Sequence, residues 1–344
     1  MRSILAVLLL LPGAVDFSID PGMDAEFAKI LASDSAVLMP STGFQFVEGP
    51  VWTHAGGGFL IFSDINANEM KIWTPSGGAS PFRNPSNKAN GNTRDLQGRL
   101  ITCEHGAQRV SRTELNGTVV DLVTQSGGKK FNSPNDVVVK SDGTVWFTDP
   151  DYGLAGRPNE QGGKFVFRYD PGTGLAQPVI TDFTQPNGLC FSPDETKLYV
   201  SDSDPSQHKI RVFGVSPTNV VTDQGTFATI SPGVPDGLRC DQDGRVFTSS
   251  GSGVQVFLPT GVRIGTINIS EVPTDLCFGG ADGQTLFVTA QTSLYTIHLG
   301  VKGSGVASGA PGTGGGGGGG GCGFLGLEAA VALLAASALR RLRS

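Results

Sequence analysis

One short phrase recurs six times along this chain, and each copy begins with a polar pair that we call the head. Five of the six heads start with a carboxylate or an amide side chain, and the sixth starts with a threonine. A short apolar or mixed run, a turn and a second run follow each head. The heads lie about forty to about fifty residues apart, the length of one four-stranded propeller blade. They are Glu48-Gly49, Asn90-Gly91, Asn135-Asp136, Asn187-Gly188, Asp236-Gly237 and Thr274-Asp275.

The repeat predicts an all-β fold, a six-bladed β-propeller over residues 35–301. Its β-branched and aromatic runs are broken by Gly, Asp, Asn and Pro, which is typical of strands joined by tight turns. The one helix that we predict is short, at residues 24–32. We expect residues 37–46 to close the ring by completing the blade begun by residues 275–289 and 294–299. A pair of β-sandwiches is the alternative, but it does not explain the common head.

Radial repetition places the six heads around one axis, so we expect them to form the floor of a pocket at one mouth of the channel. Oxygen-bearing side chains without thiolate or imidazole suit a hard divalent cation, and Ca²⁺ best. Any single head can also be read as an ordinary turn dipeptide. The phased set of six favours the cation site.

The chemistry expected of such a site is hydrolysis. A cation with open positions polarises a carbonyl, and a nearby carboxylate acts as general base, which is sufficient for esters and lactones. The chain has no Gly-x-Ser-x-Gly nucleophile elbow, and its Gly-x-Gly strings follow no βαβ pattern, which argues against dinucleotide binding. A net charge of −6 without a basic stripe argues against nucleic acid as a partner.

Several motifs together resemble the gluconolactonase / senescence marker protein / regucalcin-like family, over residues 44–299. Cys103-Glu104-His105-Gly106 also resembles its bacterial gluconolactonase branch. The other motifs are Glu48-Gly49-Pro50-Val51-Trp52, Phe62-Ser63-Asp64-Ile65, Ser133-Pro134-Asn135-Asp136-Val137, Thr148-Asp149-Pro150-Asp151-Tyr152-Gly153, Pro186-Asn187-Gly188-Leu189 and Pro235-Asp236-Gly237-Leu238.

The resemblance implies a six-bladed propeller with one divalent metal ion in its channel. Ca²⁺ is our first expectation, with Zn²⁺, Mg²⁺ or Mn²⁺ as alternatives. Carried over by motif, Glu48, Asn187 and Asp236 are metal ligands, and Asp236 is also the acid/base residue. The partner that follows is a small lactone, bound by a monomeric propeller.

Substrate contacts are expected from the remaining heads and from the loops around them. The resemblance implies that Asn135 contacts the substrate or metal-bound water, and we expect Asn90, Tyr152 and His105 to orient the substrate ring. Asp149 and Glu104 either line the pocket or cap turns. Animal members of the family carry an arginine two residues before the residue that matches Asn135. This chain has Ser133 there, so lactone hydrolysis is a firmer expectation than glucono-lactone as the substrate.

Two other functions remain open at this point. One is a non-catalytic surface propeller that binds glycans or proteins and uses the metal for structure. The other keeps catalysis but acts on aryl esters or phosphotriesters.

Both ends of the chain suggest export. Residues 1–15 combine one arginine with an apolar run, as in a secretory signal, although a buried N-terminal strand is the alternative. Residues 302–323 form a Gly-rich linker, and residues 324–344 form an apolar helix with a basic tail. Linker, Cys322, helix and basic tail resemble the myxobacterial type of bacterial sorting signal, with processing near Cys322. An ordinary tail anchor is the alternative. We therefore expect a bacterial protein in the periplasm or at the cell surface, touching the membrane only through its C-terminal segment.

Cysteine placement leaves two possibilities. Cys190 and Cys277 lie three residues after their heads, and Cys240 lies one residue later in its repeat. These residues, with Cys103, are expected either as separate buried fillers of the blades or as partners in a disulfide.

Overall fold

Six antiparallel sheets, each of four or five strands, follow one another along residues 16–305, which are the residues described by this computed structural model. We number these sheets as blades 1 to 6 in order of their inner strands. The predicted all-β six-bladed propeller is confirmed. Segments 1–15 and 306–344, which include the signal-like segment, most of the linker and the apolar helix, lie outside the described residues.

The strands of each blade run from the channel outwards. Blade 1 consists of Val47–Thr53, Phe59–Asp64, Glu69–Thr74 and Gly78–Arg83; blade 2 of Ala89–Arg94, Leu100–Glu104, Arg109–Thr113 and Val119–Val123; blade 3 of Val137–Val139, Val145–Asp149, Phe165–Asp170 and Leu175–Ile180. Blade 4 consists of Pro186–Phe191, Lys197–Asp202, Lys209–Val215 and Val221–Thr229; blade 5 of Leu238–Cys240, Val246–Ser250, Gly253–Phe257, Arg263–Asn268 and Phe17–Ile19; blade 6 of Pro273–Gly279, Thr285–Ala290, Ser293–His298 and Val37–Thr42. A two-stranded ribbon, Gln125–Ser126 with Lys129–Lys130, a helix at Asp24–Ala28 and a 3₁₀ turn at Ala55–Gly57 complete the elements.

The apolar runs are continuous because each blade is packed on both faces. Successive side chains of a strand point to opposite faces of its sheet. In blade 3, Phe147 packs in a cluster with Val110 of blade 2, whereas the adjacent Trp146 packs in a cluster with Val200 of blade 4. The core therefore lies between blades, as a ring of interfaces.

The ring closes as predicted. Val37 pairs with Ile297 and Leu38 with Thr296, so the N-terminal strand Val37–Thr42 completes blade 6. Across the same junction, the rings of Trp52 in blade 1 and Phe287 in blade 6 are stacked with centroids 5.1 Å apart.

Residues 16–36, which precede this strand, form contacts with blades 5 and 6 that the sequence analysis does not predict. Phe17–Ile19 adds a fifth strand to blade 5, with Ser18 opposite Thr266. The helix ends at Ala28 and not at residue 32, because Ile30 and Leu31 turn to pair with the other end of the chain. Ile30 O accepts a hydrogen bond from Gly300 N (2.8 Å), and Leu31 forms a β-bridge with Leu299.

The C-terminal residues 302–305 lie against the face of the propeller opposite the heads. Gly303 forms a bridge with Asp241, and Ser304 N donates to Cys240 O (2.8 Å). The chain therefore leaves the described structure on that face. Among residues 16–305, we find no helix that combines the length and the apolarity needed to cross a membrane.

The four described cysteines are free and buried, as expected of fillers between blades. Cys190 Sγ and Cys240 Sγ lie 3.6 Å apart, within the range of a thiol–thiol hydrogen bond, and form no disulfide. Cys103 and Cys277 pack in separate clusters.

Each inner strand is hydrogen bonded to the next one at the level of the heads. The links run, in order around the channel, from the Asn92 side chain to Gly49 O (2.8 Å), Gly91 N to Asn135 O (2.8 Å), Leu189 N to the Asp136 carboxylate (3.1 Å), Gly188 N to Asp236 O (3.2 Å), Gly237 N to Thr274 O (2.8 Å) and the Thr274 hydroxyl to Val47 O (2.6 Å). These links form a closed ring, which we call the head ring.

Glycine in the heads is required by this close approach. A Cβ atom on Gly188 would lie 2.2 Å from Asp236 O, and one on Gly237 would lie 1.9 Å from an oxygen of Asp275. The neighbouring group is a backbone atom in the first case, so it cannot move aside without shifting the next blade.

We therefore expect Gly188→Ala to lower the free energy of unfolding by about 1–3 kcal/mol, as overpacking does in a dense interior. Thermal unfolding of the purified variant would measure the change. Gly305→Ala is the matched control, because nothing lies within 4 Å of a Cβ there. Equal stability of the two variants would contradict this account of the head ring.

Candidate functional site

The predicted metal ligands lie together at one mouth of the channel. Glu48 and Asn187 occupy the starts of two inner strands, and Asp236 lies two residues before a third. The Asn187 side chain lies beside the Asp236 carboxylate and helps to stabilise its charge, and the Asp236 charge in turn acts on Glu48. The structure therefore brings the three predicted ligands to one place.

Four carboxylates surround the channel, and one arginine divides them into two pairs. Arg239, on the inner strand of blade 5, donates to the Asp136 carboxylate (3.1 Å) and forms an ion pair with Asp275 (3.5 Å). Burial alone would lower the pKa of Arg239, but these two negative charges outweigh it and raise that pKa. Arg239 is thus a permanent cation that compensates the charges of Asp136 and Asp275.

Glu48 and Asp236 have no such partner. Within residues 16–305, neither forms an ion pair with a lysine, arginine or histidine. Burial raises the pKa of Glu48 well above its usual range, and repulsion from Asp236 and Asp275 raises it further. Asp236 is partly accessible at the channel mouth, yet its dense surroundings and the Asp275 charge also raise its pKa strongly. Two carboxylates held together without a cation are costly when both are ionised.

This donor set fits a divalent cation. Two carboxylates would be neutralised by one M²⁺, and the amide oxygen of Asn187 is a neutral ligand of the kind that Ca²⁺ accepts. In the part of the chain that the structure describes, no group of three or more His, Cys, Asp or Glu side chains is arranged to hold a metal. The candidate set contains only two residues of those four types and takes its other oxygen from an amide.

Asn135 and Asn90 lie in the same head ring. Asn135 is buried, with its backbone bonded to Thr148 O and Gly91 N. The Asn90 amide nitrogen lies 3.2 Å from Nε2 of His105. Because an amide nitrogen only donates, Nε2 accepts and the ring proton sits on Nδ1. Burial and the nearby Arg157 charge lower the pKa of His105 to about 4, so its imidazole is neutral at neutral pH.

Tyr152 reaches over the channel from the loop that follows the second strand of blade 3. Its hydroxyl lies near the Ser203, Asn187 and Gln185 side chains, although 51% of the residue is exposed. Loss of hydration around the hydroxyl and the negative charge of Asp236 raise its pKa, so the hydroxyl stays protonated and can donate. The structure therefore places Tyr152 beside the predicted metal ligands.

Ser133 holds this loop in position. Its hydroxyl donates to Pro150 O (2.6 Å) and accepts from Gly153 N (3.0 Å), and the residue is fully buried. A long side chain at position 133 would displace the loop that carries Tyr152. The serine is thus part of the local packing of this mouth.

Asp149 is a turn cap in this structure. Its two carboxylate oxygens accept hydrogen bonds from Asn132 N (2.9 Å) and Ser133 N (2.8 Å), just before the blade 3 head. The same device occurs in blade 1, where Asp64 accepts from Phe46 N, and in blade 4, where Asp202 accepts from Gln185 N. Burial raises the pKa of Asp149 to about 7, although the two amides oppose this shift. These acids position the heads, and none of these contacts of Asp149 involves the channel mouth.

Glu104 also turns away from the channel. Its carboxylate is fully buried and paired with Arg83 (3.1 Å) and Arg109 (2.7 Å). It accepts a further bond from the Asn87 side chain (3.0 Å). Glu104 is therefore not the turn cap of the alternative expectation, because all of these contacts are with side chains, and it neutralises two arginines below His105.

The sequence analysis did not predict two features of the channel. Arg239 is one of them, although a charged residue inside an otherwise apolar inner strand was a usable signal. The other is a cavity of about 1080 Å³ on the opposite face, lined by residues such as Trp52, Arg94 and Cys190. It lies at the far ends of the inner strands, so it is separate from the heads.

Comparison with known proteins agrees with this architecture. The family described as "SMP-30/Gluconolactonase/LRE-like region" matches residues 46–292. A gluconolactonase of Zymomonas mobilis is 33% identical over 308 residues, which cover 80% of this chain and 84% of that protein. The pentonolactonase XacC of Haloferax volcanii is 26% identical over 256 residues, covering 72% of this chain and 82% of that protein.

Solved structures show the same relationship. A gluconolactonase from Xanthomonas campestris superposes with a TM-score of 0.77 at 33% identity, covering 84% of this chain and 97% of that one. The match spans nearly all of the propeller, including the six heads. This chain therefore belongs to the SMP-30/gluconolactonase/LRE-like family.

Proposed function

We propose that this protein is a metal-dependent lactone hydrolase. The observation that carries the proposal is the pair Glu48 and Asp236, two carboxylates at one channel mouth that lack a cationic side chain while Arg239 serves the other two. The lactonase activities named for its relatives from Zymomonas mobilis and Haloferax volcanii support the reaction class.

Glu48, Asn187 and Asp236 are the residues that would hold the metal. Oxygen-only ligands favour Ca²⁺, with Zn²⁺, Mg²⁺ or Mn²⁺ as alternatives. When bound, the cation supplies polarisation of the lactone carbonyl and compensation of the negative charge that develops on its oxygen.

Asp236 acts as the general base and then as the general acid. Without a cation, burial and the Asp275 charge raise the pKa of Asp236. A bound cation would favour the ionised form of Asp236, which is the form that a general base requires. Asp236 accepts a proton as the water oxygen forms its bond to the carbonyl carbon. It returns a proton to the ring oxygen as the ester C–O bond breaks, and the product is the open hydroxy acid.

The surrounding polar side chains bind and orient the ring. Tyr152 donates from its protonated hydroxyl, and Asn90, fixed by His105, and Asn135 present amide groups at the same mouth. Ser133 is neutral and therefore offers no cation for a sugar acid. Its hydroxyl is also unavailable to a ligand, because it is hydrogen bonded to the Pro150 and Gly153 backbone. Lactones in general are therefore a better-supported substrate class than glucono-δ-lactone alone.

We also propose that the protein is exported by a bacterium and displayed in the periplasm or at the cell surface as a monomeric propeller. The compositions of residues 1–15 and 306–344 are the basis for this proposal. The chain leaves the propeller through residues 302–305, on the face opposite the heads, so a tether attached there would not cover the channel mouth. Mass spectrometry of the surface fraction, with processing near Cys322 as the expected result, would test it.

The activity is tested by proton release from glucono-δ-lactone and a panel of other lactones. We expect no turnover by the metal-stripped protein and recovery with Ca²⁺ or one of the other three cations. Asp236→Asn and Glu48→Gln should each lower kcat/KM by about 10²-fold or more while the fold remains intact by circular dichroism.

Asp121→Asn is the control for these variants, because it removes an exposed carboxylate from the outer strand of blade 2. It should leave turnover unchanged. Wild-type activity in both site variants would overturn the mechanism. Silence across the panel with metal bound would favour a binding propeller or a different ester.

Metal removal should also make stability depend on pH. The folded-state pKa values of Glu48 and Asp236 are raised, so their contribution to stability is present at low pH and is lost as the pH rises through those values. We expect the Tm of chelator-treated protein to fall as the pH rises above the ordinary carboxyl range of about 4 to 5, and added Ca²⁺ to restore it most at the highest pH measured.

The double variant Glu48→Gln/Asp236→Asn is the control for this measurement. It keeps the size of both side chains but removes both titrating groups, so its Tm should fall less with pH and should not respond to Ca²⁺. A Ca²⁺ response of wild-type size in the double variant would place the metal elsewhere.

A further inference from the structure

A second cavity opens beside the candidate active site on the same face. Its volume is about 530 Å³, within the range of small-molecule pockets. It adjoins the channel through two shared residues. Tyr152 lines this cavity and also reaches Asn187, and His105 lines it while bonded to Asn90 of the head ring. A substrate whose ester lies at the channel mouth can therefore extend into this cavity.

The charge of this cavity is opposite to that of the channel. Its lining includes Lys88 and Arg157, and none of its lining residues, all in the described part of the chain, is a carboxylate. His105 contributes no charge at neutral pH. The nearby Glu104 carboxylate is already paired with Arg83 and Arg109.

The two cationic side chains of the cavity differ in how many of their hydrogen-bond donors are already used. Arg157 donates to the carbonyl oxygens of Gly106 (2.8 Å), His105 (2.7 Å) and Leu154 (2.9 Å), so it serves mainly to join two loops. Lys88 as a whole is partly buried, and its ammonium makes one hydrogen bond, to Asn66 O (3.2 Å), in an exposed position. Since an ammonium has three donors, Lys88 retains donors for a ligand.

The backbone holds Lys88 in an unfavourable conformation at this position. Asn87 and Lys88 both have positive φ angles, 59° and 54°, which non-glycine residues rarely adopt in succession. Hydrogen bonds compensate for this strain: Lys88 N donates to the Asn68 side chain (2.7 Å), and Lys88 O accepts from His105 N (3.1 Å). Strain maintained by such a network is concentrated at functional sites.

We propose that this cavity is a subsite for an anionic substituent of the substrate, bound by the Lys88 ammonium. The preferred substrates are then lactones that carry a carboxylate, sulfonate or phosphate away from the ester carbonyl. This inference rests on the lactonase function proposed above. Electrostatics also orients such a substrate, because its anionic end is attracted by the Lys88 ammonium.

The test compares kcat/KM for glucono-δ-lactone with that for the same ring bearing a phosphate, a sulfonate or a carboxylate at carbon 6. We expect the metal-loaded wild-type protein to prefer at least one anionic lactone by about tenfold or more. Lys88→Met should lower that preference about tenfold through the KM of the anionic substrate, and Lys88→Arg should retain most of it. The arm with the largest preference identifies a planar or a tetrahedral anion.

Lys197→Met is the matched control, because Lys197 begins the second strand of blade 4 at the opposite face. The Lys197→Met variant should prefer anionic over neutral lactones to the same degree as the wild type. Equal kcat/KM for neutral and anionic lactones in the wild type, or an unchanged preference in Lys88→Met, would overturn the subsite.

Failure of the proposed function is recognised separately. If no lactone is hydrolysed, calorimetric titration with gluconate and 6-phosphogluconate still tests the cavity. Tighter binding of the phosphorylated acid, lost in Lys88→Met, would support an anion subsite without lactonase activity. Equal affinity for the two acids would overturn it.

Discussion

The head ring is the constraint on which the rest of this structure depends. Six inner strands approach one another so closely that backbone or side-chain donors of one strand bond to backbone or carboxylate oxygens of the next. Glycine is needed wherever a Cβ would meet the neighbouring strand, as at Gly188 and Gly237. Because the ring is closed, each head has one fixed position relative to the others. Small shifts of one blade would therefore be transmitted to the side chains at the channel mouth.

Charge distribution follows from the same geometry. Crowding polar heads around one axis also crowds carboxylates, and burial makes their repulsion expensive. Two of the four carboxylates, Asp136 and Asp275, are compensated by ion pairs with Arg239. Glu48 and Asp236 remain, with strongly raised pKa values. This excess of negative charge, which the fold leaves uncompensated, is the physical basis on which we propose a cation at this mouth.

Much of the fold was accessible from the sequence, because a repeated pattern reports a repeated environment. The number of blades, the position of the heads and closure through the N-terminal strand Val37–Thr42 were all predicted and confirmed. The strand Phe17–Ile19 was not predicted, since it is a single short copy outside the repeat. Its position depends on pairing with Arg263–Asn268, far away in the chain. The helix boundary at Ala28 similarly depends on a long-range pairing, between Leu31 and Leu299.

The candidate site was likewise predictable in part. By itself, the sequence determined which oxygen-bearing residues share a repeat position, and therefore that Glu48, Asn187 and Asp236 would meet. Only the tertiary structure decided which acids face the channel, because phase in a repeat does not specify side-chain partners. Asp149 and Glu104 stand at pocket-side loop positions, yet their contacts are with backbone amides, a neighbouring amide side chain and two arginines. The partners of Arg239 and the placement of Lys88 beside His105 likewise arise from residues on different strands and loops, whose proximity is a property of the closed ring.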